Sequence, residues 1–184
     1  MFFYLYILVY DSEKKSGAES KALFEMEHNI DSWLQNELNH LNINSVLKAI
    51  ASSPELNDAI KSYKLKSDFD RISRRLNSFV HGNGYWFYNQ PSNDYKGSEL
   101  AIEMAKICND AKYVTVVFLF LLMLCTPIAT MSTDYIACLD SGIQPPDGSQ
   151  YWVAPFIQKF LAENESLISE NCLQYLRDNT SMEI

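Results

Sequence analysis

An arginine, an amide and a histidine in line along one helix can hold and cleave a phosphodiester, and residues 67–84 offer that line. The stretch reads SDFDRISRRLNSFVHGNG. At about 100° per residue, Asp70, Arg74, Asn77 and His81 fall within an arc of about 60°. Phe69, Ile72, Leu76, Phe79 and Val80 gather on another side, the apolar face that such a helix buries. Arg74 nearly eclipses His81, about 20° away, whereas Arg75 lies about 120° from it. The geometry favours Arg74 as the partner of His81 within one chain. Arg75 is then a neighbour, or reaches across in a dimer. A solvated surface carries the same residue types. His81 precedes Gly82, a good helix-ending residue, where an imidazole meets the helix dipole favourably. Arg74 follows Asp70 by one turn, the spacing of a surface ion pair.

The chemistry of the stripe is coherent without a metal. Hydrolysis through a 2′-hydroxyl needs a group that moves a proton near neutral pH, and His81 is the natural candidate. Charge building on the phosphate needs a fixed cation, and arginine supplies a bidentate fork. Asn77, one turn before His81, would orient the phosphate or the imidazole. No metal and no cofactor are expected: His28, His40 and His81 lie far apart, and Cys108, Cys125, Cys138 and Cys172 form no CxxC pair. The cysteines read as reduced, partly buried thiols of a cytosolic protein. There is no GxSxG, phosphate loop, HExxH or dinucleotide fingerprint.

A net charge of −8 argues against broad attraction to nucleic acid. The balance reverses locally. Lys61, Lys64, Lys66, Arg71, Arg74 and Arg75 face only Asp68 and Asp70 within residues 61–75, and a patch of this kind can grip a phosphate backbone. It can equally be a solvated basic face. Lys64, Lys66 and Arg71 are the candidate RNA contacts beside the stripe. Tyr85 and Trp86, followed by Phe87 and Tyr88, either stack on unpaired bases or pack a loop onto the core. Tyr151, Trp152 and Phe156 pose the same choice, with a dimer interface as a further use.

These residues need a scaffold, and the rest of the chain predicts an all-α one. Of its 184 residues, 47% are hydrophobic, with six Gly and six Pro, the composition of a compact helical bundle in one domain over 1–184. Helical spacing predicts a helix over Ser20–Leu41, shorter ones over Asn44–Ala51 and Pro54–Tyr63, and the motif helix over 67–82. Ser67 and Asp70 approximate its capping box. Residues 81–97 read as a loop. Ser98 caps a long central helix over 98–126. Later come a short helix after Ser132, a turn-rich connection over Gly142–Gln150, and closing helices near Ala154–Glu163 and Ser166–Arg177. Met1–Tyr10 is too short to span a bilayer and suits a strand or a buried helix. Tyr113–Met131 carries no charge and is near spanning length, but Pro127 interrupts it and its densest part suits a core helix.

The segment RRLNSFVH, residues 74–81, resembles the signature of HEPN domains: an arginine, four to six residues, then a histidine on a helix of a small bundle. Residues 67–82 carry the match, and the helical layout over 20–180 is compatible with it. The resemblance implies metal-independent RNA cleavage, by dimers that bring two motif copies into one cleft. Such domains serve in toxin–antitoxin, abortive-infection and other antiviral systems. Other members bind or scaffold without catalysis. Some HEPN toxins carry a tyrosine two residues after the histidine, where a partner nucleotidyltransferase modifies them; here that position is Asn83, so this regulation is not carried over. The expectation is a cytoplasmic, homodimeric ribonuclease acting on RNA, with an antitoxin or other partner protein. One rival is a non-catalytic module binding a nucleotide or a protein. Another is a protein anchored in a membrane by residues 113–131.

Overall fold

A computed structural model describes residues 2–17, 20–37, 43–80 and 97–184. The protein is an all-α bundle. Among the described residues there are nine α-helices and no sheet: α1 (Phe2–Lys15), α2 (Lys21–Leu34), α3 (Ile43–Ile50), α4 (Pro54–Ser62), α5 (Leu65–Val80), α6 (Gly97–Cys125), α7 (Thr133–Asp140), α8 (Pro155–Asn164) and α9 (Cys172–Asn179).

The axis of the bundle is α6, whose 29 residues span about 43 Å. It packs against α1, α4, α5, α8 and α9. Its two ends differ. Ile102 and Met104 are exposed, whereas Val116, Val117, Phe120, Leu121 and Met123 are fully buried. Met104–Cys125 is long and apolar enough to cross a membrane, and its second half is the core of this fold. There the Phe120 ring meets Tyr63 at 5.2 Å and Tyr175 at 5.8 Å, and those two rings meet at 5.5 Å. That trio joins the end of α4 to α6 and α9. The helix stops at Cys125 because Pro127 pushes Thr126 into an extended conformation (φ −148°, ψ 77°).

Residues 2–15 form a helix, resolving the choice between strand and helix. Leu5, Tyr6, Val9 and Tyr10 repeat at helical spacing and are buried, while Tyr4 stays half-exposed. Gly17, at φ 75°, ends it in the left-handed region that glycine enters without strain. Clasped onto α1 is α2: Tyr10 donates to Glu27 Oε1 at 2.6 Å, and Lys14 Nζ donates to the same oxygen at 2.7 Å.

Three expectations need correction. The motif helix begins at Leu65, not Ser67. Lys64 adopts φ 52° after the end of α4, and its carbonyl accepts from Ser67 N at 3.1 Å and Ser67 Oγ at 2.8 Å. Ser67 therefore sits inside the first turn, folded back on Lys64, rather than capping it, and the earlier start buries Leu65 completely. The last helix begins at Cys172, not near Ser166. A 3₁₀ turn over Glu165–Leu167 follows α8 directly, and the delayed start sets Cys172, Leu173 and Leu176 into the core. The helix expected over Ser20–Leu41 ends at Leu34, and Asn36 just beyond it takes a positive φ of 59°. The other expected boundaries among the described residues hold within a residue or two, with Ser20 capping α2 by accepting from Leu23 N at 3.1 Å. The N-cap of α7 is Ser132.

Candidate functional site

Asp70, Arg74 and Asn77 of the stripe and the basic residues around them lie on α5 and the α4–α5 junction. One side of α5 is fixed by burial of Leu65, Phe69 and Ile72, with Leu76 partly buried against the same core. Its backbone is helical through Val80. The Phe79, Val80 and Asn77 side chains lie outside the described residues, as do His81, Tyr85 and Trp86.

The adjacent arginines meet different surroundings. Arg75 points to α6. Its Nη2 donates to the Lys106 carbonyl at 3.2 Å and to the carboxylate of Asp110, a side chain only 8% exposed. One turn further along α6, Tyr113 donates to Asp68 Oδ2 at 3.4 Å, and Asp68 pairs with Arg71 at 3.4 Å. Burial first, and then the Asp68 carboxylate, raise the Tyr113 phenol above its ordinary range. These groups zip the polar edge of α5 to α6 beside a cleft of about 270 Å³.

Arg74 lies on the exposed side of α5. Its Nε donates to the Asp70 carbonyl at 3.1 Å, so the contact one turn back is to backbone. Arg71 is exposed beside Asp68, where its ion pair is worth a few tenths of a kcal/mol, about 0.3. Lys64 and Lys66 are exposed and line a second cleft, which they share with Lys48 and Lys61.

Asp110 is the residue that sequence reasoning missed. It stands 35 positions from Arg75, so no local spacing links them. A signal was present: it is the last acidic residue before the uncharged run of α6, where a carboxylate entering a core needs a cation. All four cysteines are free thiols. Burial pushes the Cys172 thiol up to about 11, which keeps it protonated and unreactive. Among the described residues, no cluster of His, Cys, Asp and Glu is placed to hold a metal. Around the other candidate surface, Tyr151, Trp152 and Phe156 are exposed, Phe156 at 72%. Backbone bonds Ser132 N to Trp152 O and Glu183 N to Tyr151 O, both 2.8 Å, tie that segment to the chain end. No family model matches this chain, and no curated protein or solved structure matches it.

Proposed function

We propose that this chain is a metal-independent endoribonuclease of the HEPN type, working as a cytoplasmic homodimer in a toxin–antitoxin, abortive-infection or other antiviral setting. The observation that carries the reading is that α5 holds Arg74 on its exposed side within the segment that resembles the HEPN signature. Arg75 is taken up by Asp110, while Arg74 is presented on the exposed side of a helix that runs on toward His81. The all-α scaffold is compatible with the HEPN resemblance of residues 67–82; Lys64 and Lys66 add exposed cations on one side of α5, and Arg71 adds another on the side that faces Asp68.

In this reading His81 takes the proton from the ribose 2′-hydroxyl as that oxygen attacks the adjacent phosphorus. A proton returns to the departing 5′-oxygen. Arg74 offsets the charge that gathers on the phosphoryl oxygens, and Asn77 orients them. Arg75 acts through the fold, by holding α5 on α6.

The test is cleavage of RNA by the purified chain in EDTA, beside His81→Ala. The expected outcome is cleavage by the wild type that disappears in the variant. Intact RNA with both would shift the reading to a non-catalytic binding module of the same fold. Equal cleavage by both would refute the motif.

A further inference from the structure

Four lysines converge on one cleft, and the ribonuclease reading uses only two of them, Lys64 and Lys66. Lys48 comes from α3, Lys61 from α4, Lys64 from the α4–α5 junction and Lys66 from the first turn of α5. All four are exposed. Among the described residues none of them lies in an ion pair; the pairs formed are Lys14–Glu27, Arg71–Asp68, Arg75–Asp110 and Lys159–Glu163. The chain has 15 Lys and Arg against 23 Asp and Glu. In so acidic a protein, four lysines around one hollow without an ion pair among the described residues run against the overall balance, and among those residues Asp70 is the one carboxylate lining it.

The hollow is not merely a basic face. Beneath the ammonium groups lie Leu47 and Ile60, 2% and 7% exposed, with Ala51 between helices. The aliphatic stems of the lysines extend that apolar wall upward. Its volume, about 510 Å³, falls in the range of small-molecule sites, which are mostly apolar with a few charged groups that fix orientation. Among the described residues none that line it is aromatic, and they offer no ring on which a nucleobase would stack. Lys64 also holds a left-handed conformation at φ 52°, which is strained for a residue with a Cβ. That conformation turns the chain so that Lys61, Lys64 and Lys66 share one rim.

We propose that this cleft binds a small amphipathic anion, an aliphatic chain ending in a phosphate or carboxylate, with the chain on Leu47, Ala51 and Ile60 and the head among the four lysines. The anion has two sources: a free amphiphile, or a lipid still in a membrane. The inference does not depend on RNA cleavage, and its test reads none.

The probe is decyl phosphate, titrated calorimetrically into the full chain below its micelle concentration. Binding is expected to need both halves of the probe. Inorganic phosphate and decanol should each bind at least tenfold more weakly, since opposite charges and apolar contact both contribute. Hexyl phosphate should lose about tenfold or more, because each buried methylene is worth about fourfold in affinity. Lys48→Glu combined with Lys61→Glu should weaken decyl phosphate at least tenfold. Both positions are exposed, and an unchanged circular dichroism spectrum would show that the fold persists. Ala51→Phe, which fills the hollow without altering charge, should weaken it as well. Phosphatidylglycerol vesicles that displace the probe would identify a membrane source; vesicles that leave it bound would identify a free amphiphile. Equal binding by wild type and the lysine variant, equal binding of decanol, or binding to vesicles with none to the monomer would each overturn the proposal.

Discussion

The two polar edges of α5 carry the same residue type one position apart and treat it in opposite ways. On one edge Arg75 is one-fifth exposed and enclosed by Asp110 and the Lys106 carbonyl of α6. On the other, Arg74 stands in solvent with its Nε on the backbone of its own helix. One residue is about 100° of helix rotation, which here separates an interhelical seam from an open surface. An arginine in a motif is therefore not identified by its spacing to a histidine alone. The neighbour that claims its guanidinium decides whether it stabilises the fold or is left to meet a ligand.

The strongest way to break this comparison is to remove the partner that closes the seam. Asp110→Ala leaves the Arg75 charge partly buried without its carboxylate, and is expected to cost about 3 kcal/mol or more in urea unfolding. Arg75→Met in the same background should recover much of that loss, because the stranded charge is gone and the volume is kept. A loss below about 0.5 kcal/mol for Asp110→Ala, the level of ordinary surface substitutions, would mean that the seam is not closed.

Arg74→Ala sharpens the contrast from the other edge. Its stability should stay within about 0.5 kcal/mol of wild type. If the ribonuclease reading holds, cleavage should fall about 10²–10³-fold, the usual cost of removing a charge-stabilising donor. Single-turnover cleavage and urea unfolding of both arginine variants separate the roles. A larger cleavage loss at Arg75 than at Arg74, with Arg75→Ala fully stable, would reverse the assignment.

Much of the scaffold was legible because burial writes itself into local spacing. Phe69 and Ile72 on α5, and Val116, Val117, Phe120 and Leu121 on α6, are buried as their periodicity and density imply. Legibility failed where distant residues decide. Trp33 and Leu34 fit the helical period of α2 yet remain 43% and 63% exposed, since period marks a stripe but not what covers it; Trp33 meets only the Phe3 ring, at 4.6 Å, among its ring contacts in the described residues. The start of α5 escaped because Ser67 has the chemistry of a cap, while Lys64, a residue that seldom takes positive φ, makes the turn. The Arg75–Asp110 pair and the four-lysine cleft join residues from separate helices. The basic run over 61–75 shows three of the four lysines, but no short-range pattern links them to Lys48 or Arg75 to Asp110. Of the polar stripe, Asp70 and Arg74 are placed with their side chains, and the His81 end lies outside the described residues.

The finest probe of the closed edge is Tyr113, whose phenol meets Asp68 across the α5–α6 seam at 3.4 Å. At that length the hydrogen bond is weak, so Tyr113→Phe should change stability by less than about 0.5 kcal/mol at pH 7. Its signature is in alkali. Burial and the Asp68 carboxylate raise the phenol's pKa in the fold, so the folded state favours the neutral ring more than the unfolded chain does. That contribution is complete below an unfolded pKa of about 10 and is lost as pH rises from there toward the folded value. Tyr6, Tyr63 and Tyr175 are raised in the same direction, each chiefly by burial. Tyr10 is raised too, chiefly by its bond to Glu27. Wild-type stability should therefore fall above pH 10, with the buried Tyr113 phenol adding at most about 1.4 kcal/mol per pH unit. Tyr113→Phe should fall less steeply by one group's share, measured by urea unfolding between pH 9 and 11. Parallel curves for the two proteins would place the phenol in water, and the seam would then end at Arg75 and Asp110 rather than run the length of the α5–α6 contact.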